Sequence, residues 1–72
     1  MRLKYYQATD TLYIDLSDTP STDSREISEG VVVDFDAAGN LVGIDIDRAS
    51  TKVALEKLIF SCMPATVETE AE

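Results

Sequence analysis

The sequence predicts an α+β fold: a small antiparallel sheet of four to five strands, built from hairpins, with one C-terminal helix packed on one face. Two observations predict this class. Apolar and polar residues alternate over most of residues 2–46, which is the period of half-buried strands. From about residue 50 the apolar residues recur at helical spacing instead. We therefore expect one sheet followed by one helix.

The predicted strands are alternating runs separated by turn residues. The first two cover residues 2–6 and 11–16, with Leu12, Ile14 and Leu16 on one side of the second. A polar loop that contains Pro20 leads to a short strand at 25–28. The stretch VVVDFDAAGNLVGIDID, residues 31–47, then predicts a hairpin.

The hairpin register follows from the requirement that both of its strands bury their apolar sides. This requirement is met by pairing Phe35 with Val42, Val33 with Ile44, and Val31 with Ile46. The turn then falls at 37–40, where Gly39 or Asn40 can adopt the left-handed backbone that a tight turn needs.

The helix is predicted over about 50–62, with Ser50 or Asp47 as N-cap and Pro64 beyond its end. Its apolar stripe comprises Ala54, Leu55, Leu58, Ile59 and Cys62. We expect a single domain over residues 1–63 and a disordered acidic tail over 64–72. The predicted core consists of the inward side chains of all these elements: Leu3, Tyr5, Leu12, Ile14, Leu16, Ile27, Val31, Val33, Phe35, Val42, Ile44, Ile46, Leu55, Leu58 and Ile59.

Net charge narrows the class of partner. Fourteen acidic residues against six basic ones give a formal charge of −8, which opposes binding to nucleic acid or to an anionic membrane. The charge suits a basic protein partner, or it simply keeps a small protein soluble. A single cysteine excludes an internal disulfide, and no apolar run is long enough to span a bilayer. With no signal peptide in the N-terminal stretch, a cytoplasmic location is expected.

The predicted register also defines a second, acidic side of the hairpin. The candidate partner-binding residues lie there: Val32, Asp34, Asp36, Leu41, Asp45, Asp47 and, from the second strand, Tyr13. Arg2 and Lys4 point the same way and offset part of the charge. This side is interpreted either as an ordinary solvated face or as a docking surface for a basic partner. Its apolar residues also suit self-association, and so small a chain is expected to gain stability as a homo-oligomer or with a partner.

A calcium loop is the alternative interpretation of the same stretch. Counted from Asp34, the EF-hand pattern places Asp36 at position 3, Gly39 at position 6 and Asp45 at position 12. Position 5, however, is Ala38, and the flanking sequences predict strands where an EF-hand has helices. A weak divalent-cation site formed by Asp34, Asp36 and Asp45 is therefore kept only as an alternative.

Catalysis is not expected. The chain has no histidine and no glycine pattern that cradles a phosphate, and Cys62 lies on the predicted apolar stripe. The carboxylate pairs Asp34/Asp36 and Asp45/Asp47 would need a cleft that a sheet of about 60 residues hardly provides. We predict no cofactor and no small-molecule substrate.

Two motifs carry a family resemblance. Residues 10–14 read D-x-L-Y-I, and residues 34–50 read D-x-D-x-x-G-x-x-x-G-I-D-I-x-x-A-S. Together they resemble a family of short bacterial proteins catalogued as a domain of unknown function, although Asp45 stands where the family more often has glutamate. The resemblance implies a compact antiparallel sheet with a helix, and it supplies no catalytic residues. It also implies similarity to antitoxins that neutralise a small basic protein.

Overall fold

The structure, a computed structural model, describes residues 1–59, 61, 64, 68 and 69. Five antiparallel strands form one sheet, in the spatial order β1-β2-β5-β4-β3. The strands are β1 (Arg2–Tyr6), β2 (Thr11–Asp15), β3 (Asp23–Ser28), β4 (Val31–Phe35) and β5 (Leu41–Ile46). The predicted antiparallel sheet of four to five strands is therefore confirmed.

The sheet consists of a hairpin and a meander. The β1–β2 hairpin and the β3–β4–β5 meander meet where β2 pairs with β5. Residues 16–22 connect the two parts across the ends of the inner strands. The Leu16 N–H donates to the Val42 carbonyl, and the Thr22 N–H donates to the Phe35 carbonyl, each at 2.9 Å. These two bonds fasten the polar connection to β5 and β4.

One side of the sheet is apolar on strands β1, β2, β4 and β5, whereas β3 contributes Arg25, opposite Val33, at its edge. The strand pairings place on this side, which we call the apolar face, Leu3, Tyr5, Leu12, Ile14, Val31, Val33, Ile44 and Ile46. Most of these side chains are only half-buried, and Leu3 is 37% exposed. The hydrophobic residues that are buried in the described part of the chain are Val33, Val42 and Ala49. The sheet is thus a single layer.

The predicted α+β class and the predicted packed helix are wrong. After β5 the described residues form only a 3-10 turn, Ala49–Thr51, and residues 52–59 are all exposed and non-helical. Of the predicted core, Leu55, Leu58 and Ile59 are therefore exposed. A helix of about 12 residues is marginal in water unless its apolar stripe packs against a partner, and this stripe does not. Cys62 lies outside the described residues.

The strand register agrees with the prediction except near the hairpin turn. Val31 pairs with Ile46 and Val33 with Ile44, as predicted, but Phe35 pairs with Leu41 rather than Val42. A bulge between Asp34 and Phe35 causes the shift. The turn is held by Asp36, whose carboxylate accepts the N–H groups of Ala38 and Asn40 at 3.0 and 2.9 Å.

The edge strand β3 also departs from prediction. The pairing of β3 with β4 shifts between Glu26 and Ser28, so that Ile27 has no partner in the ladder. Ile27 is 62% exposed, and its place in the predicted core is wrong. A bulge on an edge strand bends the strand and disrupts regular pairing on its free side.

Asp10 ties the β1–β2 turn to the 3-10 turn. Its backbone is left-handed (φ 53°), and its carbonyl accepts the Ala49 N–H at 2.8 Å. Its carboxylate accepts the Ser50 hydroxyl at 2.6 Å, the Ser50 N–H at 3.1 Å and the Tyr5 hydroxyl at 2.7 Å. Asp10 therefore performs the capping role that the sequence assigned to Ser50 or Asp47, from 40 residues away.

We expect Asp10→Asn to lower the unfolding midpoint by roughly 5 °C at neutral pH, because a neutral amide accepts these bonds less strongly than a carboxylate. Asparagine tolerates a positive φ, so the turn itself survives. The bonds from Ser50 and then Tyr5 lower the pKa of Asp10 below 3.8. The stabilisation is therefore complete above pH 3.8 and is lost as the pH falls through the lower pKa of the folded state.

Thermal denaturation of both proteins between pH 2 and pH 7, followed by circular dichroism, measures this difference. Asp18→Asn, at an exposed loop position, is the matched control and should leave the midpoint unchanged. Equal midpoints for the wild type and Asp10→Asn at pH 7 would contradict the role assigned to Asp10.

Candidate functional site

The opposite side of the sheet carries carboxylates around a central tyrosine. We call Tyr13, Asp15, Val32, Asp34 and Asp45 the acidic face. The pairings Tyr13–Asp45, Val32–Asp45, Asp15–Gly43 and Asp34–Gly43 place all five on the same side. Strands β2, β4 and β5, the three inner strands, supply them. On β1, Arg2 lies opposite Asp15 and Lys4 lies opposite Tyr13. The basic residues that were predicted to offset part of the negative charge therefore lie along one edge of the acidic face.

Tyr13 lies across the middle strand. A Cβ built on Gly43 would overlap the Tyr13 hydroxyl and its ring carbon, so the side chain passes directly over this glycine. The hydroxyl lies 3.3 Å from Asp34 Oδ2, to which it donates. The other oxygen of Asp34 accepts the Ser24 hydroxyl at 2.7 Å. The side chain is thereby held across β5, with its hydroxyl bonded to Asp34 on β4.

Burial and neighbouring charge change the ionisation of two groups on this face. Burial, followed by the charge of Asp34, raises the pKa of Tyr13. Burial, followed by the charges of Asp47 and Asp34, raises the pKa of Asp45. In both cases the larger cause is partial loss of water, and the negative charges of neighbouring carboxylates add to it.

The predicted site residues do not all come together. Tyr13, Val32, Asp34 and Asp45 share the acidic face, and Asp47 follows β5 close enough to Asp45 to influence its pKa. The Asp36 carboxylate instead accepts hydrogen bonds within the hairpin turn. Leu41 lies beyond the bulge, pairs with Phe35 and is 43% exposed.

Asp15 was missed by the sequence reasoning. It lies on the same strand as Tyr13, two residues on, and pairs with Gly43. The period-two alternation of β2 places the two side chains on one side. The alternation could have identified Asp15, since Tyr13 on the same strand was already a candidate for this face, and the β2–β5 pairing places both side chains beside the acidic hairpin.

The geometry gives the calcium alternative no support. Within the residues that the structure describes, no group of three or more carboxylate, histidine or cysteine side chains is arranged to hold a metal ion. Asp36 accepts three hydrogen bonds from Ala38 and Asn40, and the backbone bond from Asn40 is the main cause of its lowered pKa. The apparent EF-hand spacing is thus explained by an aspartate that stabilises a hairpin turn.

The fold and this face define a small single-sheet protein whose two sides differ sharply in chemistry. The chain belongs to the family described as Protein of unknown function (DUF2283), whose model matches residues 2–50. The matched range includes all five strands and both ends of the Asp10–Ser50 contact. No curated protein and no solved structure matches the chain. In the described part of the chain, no helix has the length and apolarity that crossing a membrane requires.

We expect Gly43→Ala to displace Tyr13 and to destabilise the fold by about 1–3 kcal/mol, the usual range for overpacking. The added methyl group would occupy the space of the tyrosine hydroxyl. Chemical denaturation measures the loss. The same substitution in a Tyr13→Ala background should be much less harmful, because the colliding ring is gone. Equal losses in both backgrounds would show that the Tyr13 ring does not lie over Gly43.

We expect Asp45→Asn to stabilise the protein at neutral pH by roughly 1–4 °C, because it removes a charge that is disfavoured first by burial and then by Asp47 and Asp34. The raised pKa of Asp45 means that its ionised form opposes folding. This destabilisation by the ionised side chain is absent below pH 3.8, where Asp45 is protonated. It grows as the pH rises from 3.8 to the raised pKa of the folded state, and it persists at higher pH. Melting curves should therefore show a gain at pH 7 that disappears near pH 3. A loss of stability of Asp45→Asn at pH 7 would contradict the raised pKa of Asp45.

Proposed function

We propose that this protein is a small non-catalytic interaction module whose acidic face binds a basic protein partner. The position of Tyr13 carries the proposal. Its aromatic ring lies at the centre of the face, fixed by Gly43 beneath it and by Asp34 at its hydroxyl. Around it stand Asp15, Asp34 and Asp45.

This arrangement suits protein recognition. Tyrosine is enriched at interface centres because it offers apolar area and a polar tip with little side-chain entropy to lose. Val32 adds apolar area beside it. Carboxylates around such a centre attract lysine and arginine, which speeds encounter and selects against acidic partners. Burial and then the charges of Asp47 and Asp34 raise the pKa of Asp45, and a cation bound beside it would offset the part that is due to these charges.

The antitoxin-like role suggested by the family resemblance is one form of this proposal. In that form the partner is a small basic toxin, and neutralisation consists of covering the toxin's basic surface. The net charge of −8 supplies the necessary complementarity.

The test is affinity capture of proteins from a lysate of the native host, followed by mass spectrometry. The wild type is compared with Asp15→Lys/Asp45→Lys, which reverses two charges beside Tyr13. Asp34 is left intact because it holds Tyr13. We expect a basic protein bound by the wild type to be lost with this variant, and to be released from the wild type in about 1 M salt, where charges are screened beyond about 3 Å.

The matched control is Asp18→Lys/Asp23→Lys, which changes the net charge by the same amount at two exposed positions off the acidic face. Capture of the same basic protein by this control and not by Asp15→Lys/Asp45→Lys supports the proposal. If circular dichroism shows that both double variants are folded and both capture the protein equally, the acidic face is rejected as the binding surface.

A further inference from the structure

We infer that the apolar face is covered by a second copy of this chain, so that two sheets stack face to face as a small β-sandwich. This inference concerns the side opposite the acidic face and does not depend on the proposed partner. It starts from the single-layer sheet: eight neutral side chains from four strands form one continuous apolar surface. No described helix or second sheet covers that surface.

The chain exposes more surface than a compact monomer of its mass does. A compact monomer of 7.9 kDa exposes about 4,400 Å², whereas this chain exposes 5671 Å². The excess is roughly 1,300 Å². Residues 52–59 contribute to the excess because they are all exposed. Six of the eight side chains of the apolar face are half-buried and Leu3 is 37% exposed, so the face retains apolar surface that a partner could cover.

Charge distribution decides which side can stack on its own copy. The acidic face carries Asp15, Asp34 and Asp45, so two acidic faces would repel each other. The inner strands place no charged side chain on the apolar face. Tyr5, its polar member, donates its hydroxyl to Asp10. The apolar face is thus the one side that is compatible with an identical surface.

The residues at the edge of the apolar face also fit a face-to-face dimer. On β3 the Arg25 guanidinium lies 5.6 Å from the centre of the Phe35 ring, so the edge of the apolar surface ends in a cation over an aromatic face. A hydrophobic centre with a charged rim is the usual composition of a protein interface. Stacked sheets lie about 10 Å apart, and this arrangement turns both acidic faces outward, away from each other.

The first experiment measures the mass of the full chain by light scattering from about 1 µM to about 100 µM. We expect a dimer of 15.8 kDa, twice the chain mass of 7.9 kDa. We also expect an unfolding midpoint that rises with concentration, because association stabilises the folded state by mass action. A 7.9 kDa monomer throughout this range, with a constant midpoint, overturns the inference.

A matched pair of variants then locates the interface. Val31 and Val32 are adjacent, identical in type and both half-buried, but they lie on opposite faces. Val31→Lys places a cation in the proposed interface twice per dimer and should weaken association by at least about a hundredfold. Val32→Lys places the same cation beside Asp45 and should leave association unchanged.

A third variant separates loss of the dimer from loss of the fold. Leu3 lies on the edge strand β1 and is 37% exposed, so Leu3→Lys should keep the monomer folded by circular dichroism and still weaken association. Weakening by both Val31→Lys and Leu3→Lys, with Val32→Lys unaffected, supports the inference. A dimer that survives both, or that only Val32→Lys disrupts, overturns it.

Discussion

The pairing of β2 with β5 is the constraint on which the rest of the structure depends. The β1–β2 hairpin and the β3–β4–β5 meander are each local, but this one ladder joins residues about 30 positions apart into a single sheet. Closing so long a loop opposes folding, although the entropy grows only slowly with loop length. Asp10 reinforces the joint, because its hydrogen bonds to Ser50 fasten the turn of the hairpin to the chain that leaves the meander.

The same ladder creates the two contrasting faces. It aligns Ile14 with Ile44 on one side and Tyr13 with Asp45 on the other. A slip of one residue would mix apolar and acidic side chains on both sides of the sheet, so the alternation itself enforces the register. Gly43 completes the arrangement, because only the absence of a side chain there lets Tyr13 cross β5 and reach Asp34. The acidic face is thus a product of strand order as well as of composition.

The alternation predicted most of the sheet, because its period reports directly which side of a strand is buried. It placed the strands and the pairs Val31–Ile46 and Val33–Ile44. The bulge between Asp34 and Phe35 was missed because regular alternation assumes an unbroken ladder and carries no signal for a register shift. The predicted helix failed because periodicity describes a stripe without saying what it packs against. Neither the Asp10–Ser50 contact nor the crossing of Gly43 by Tyr13 has a local signature, since both depend on strand order.

The two outer strands determine how this sheet can grow. β1 carries Arg2 and Lys4, and β3 carries Glu26 beside a bulge that leaves Ile27 out of the ladder. Charged and irregular edges resist the addition of further strands, the route by which exposed β-structure polymerises into fibrils. A single-layer sheet with an open apolar side would otherwise be prone to such lateral polymerisation. In this protein the charged first strand and the bulged third strand oppose that route.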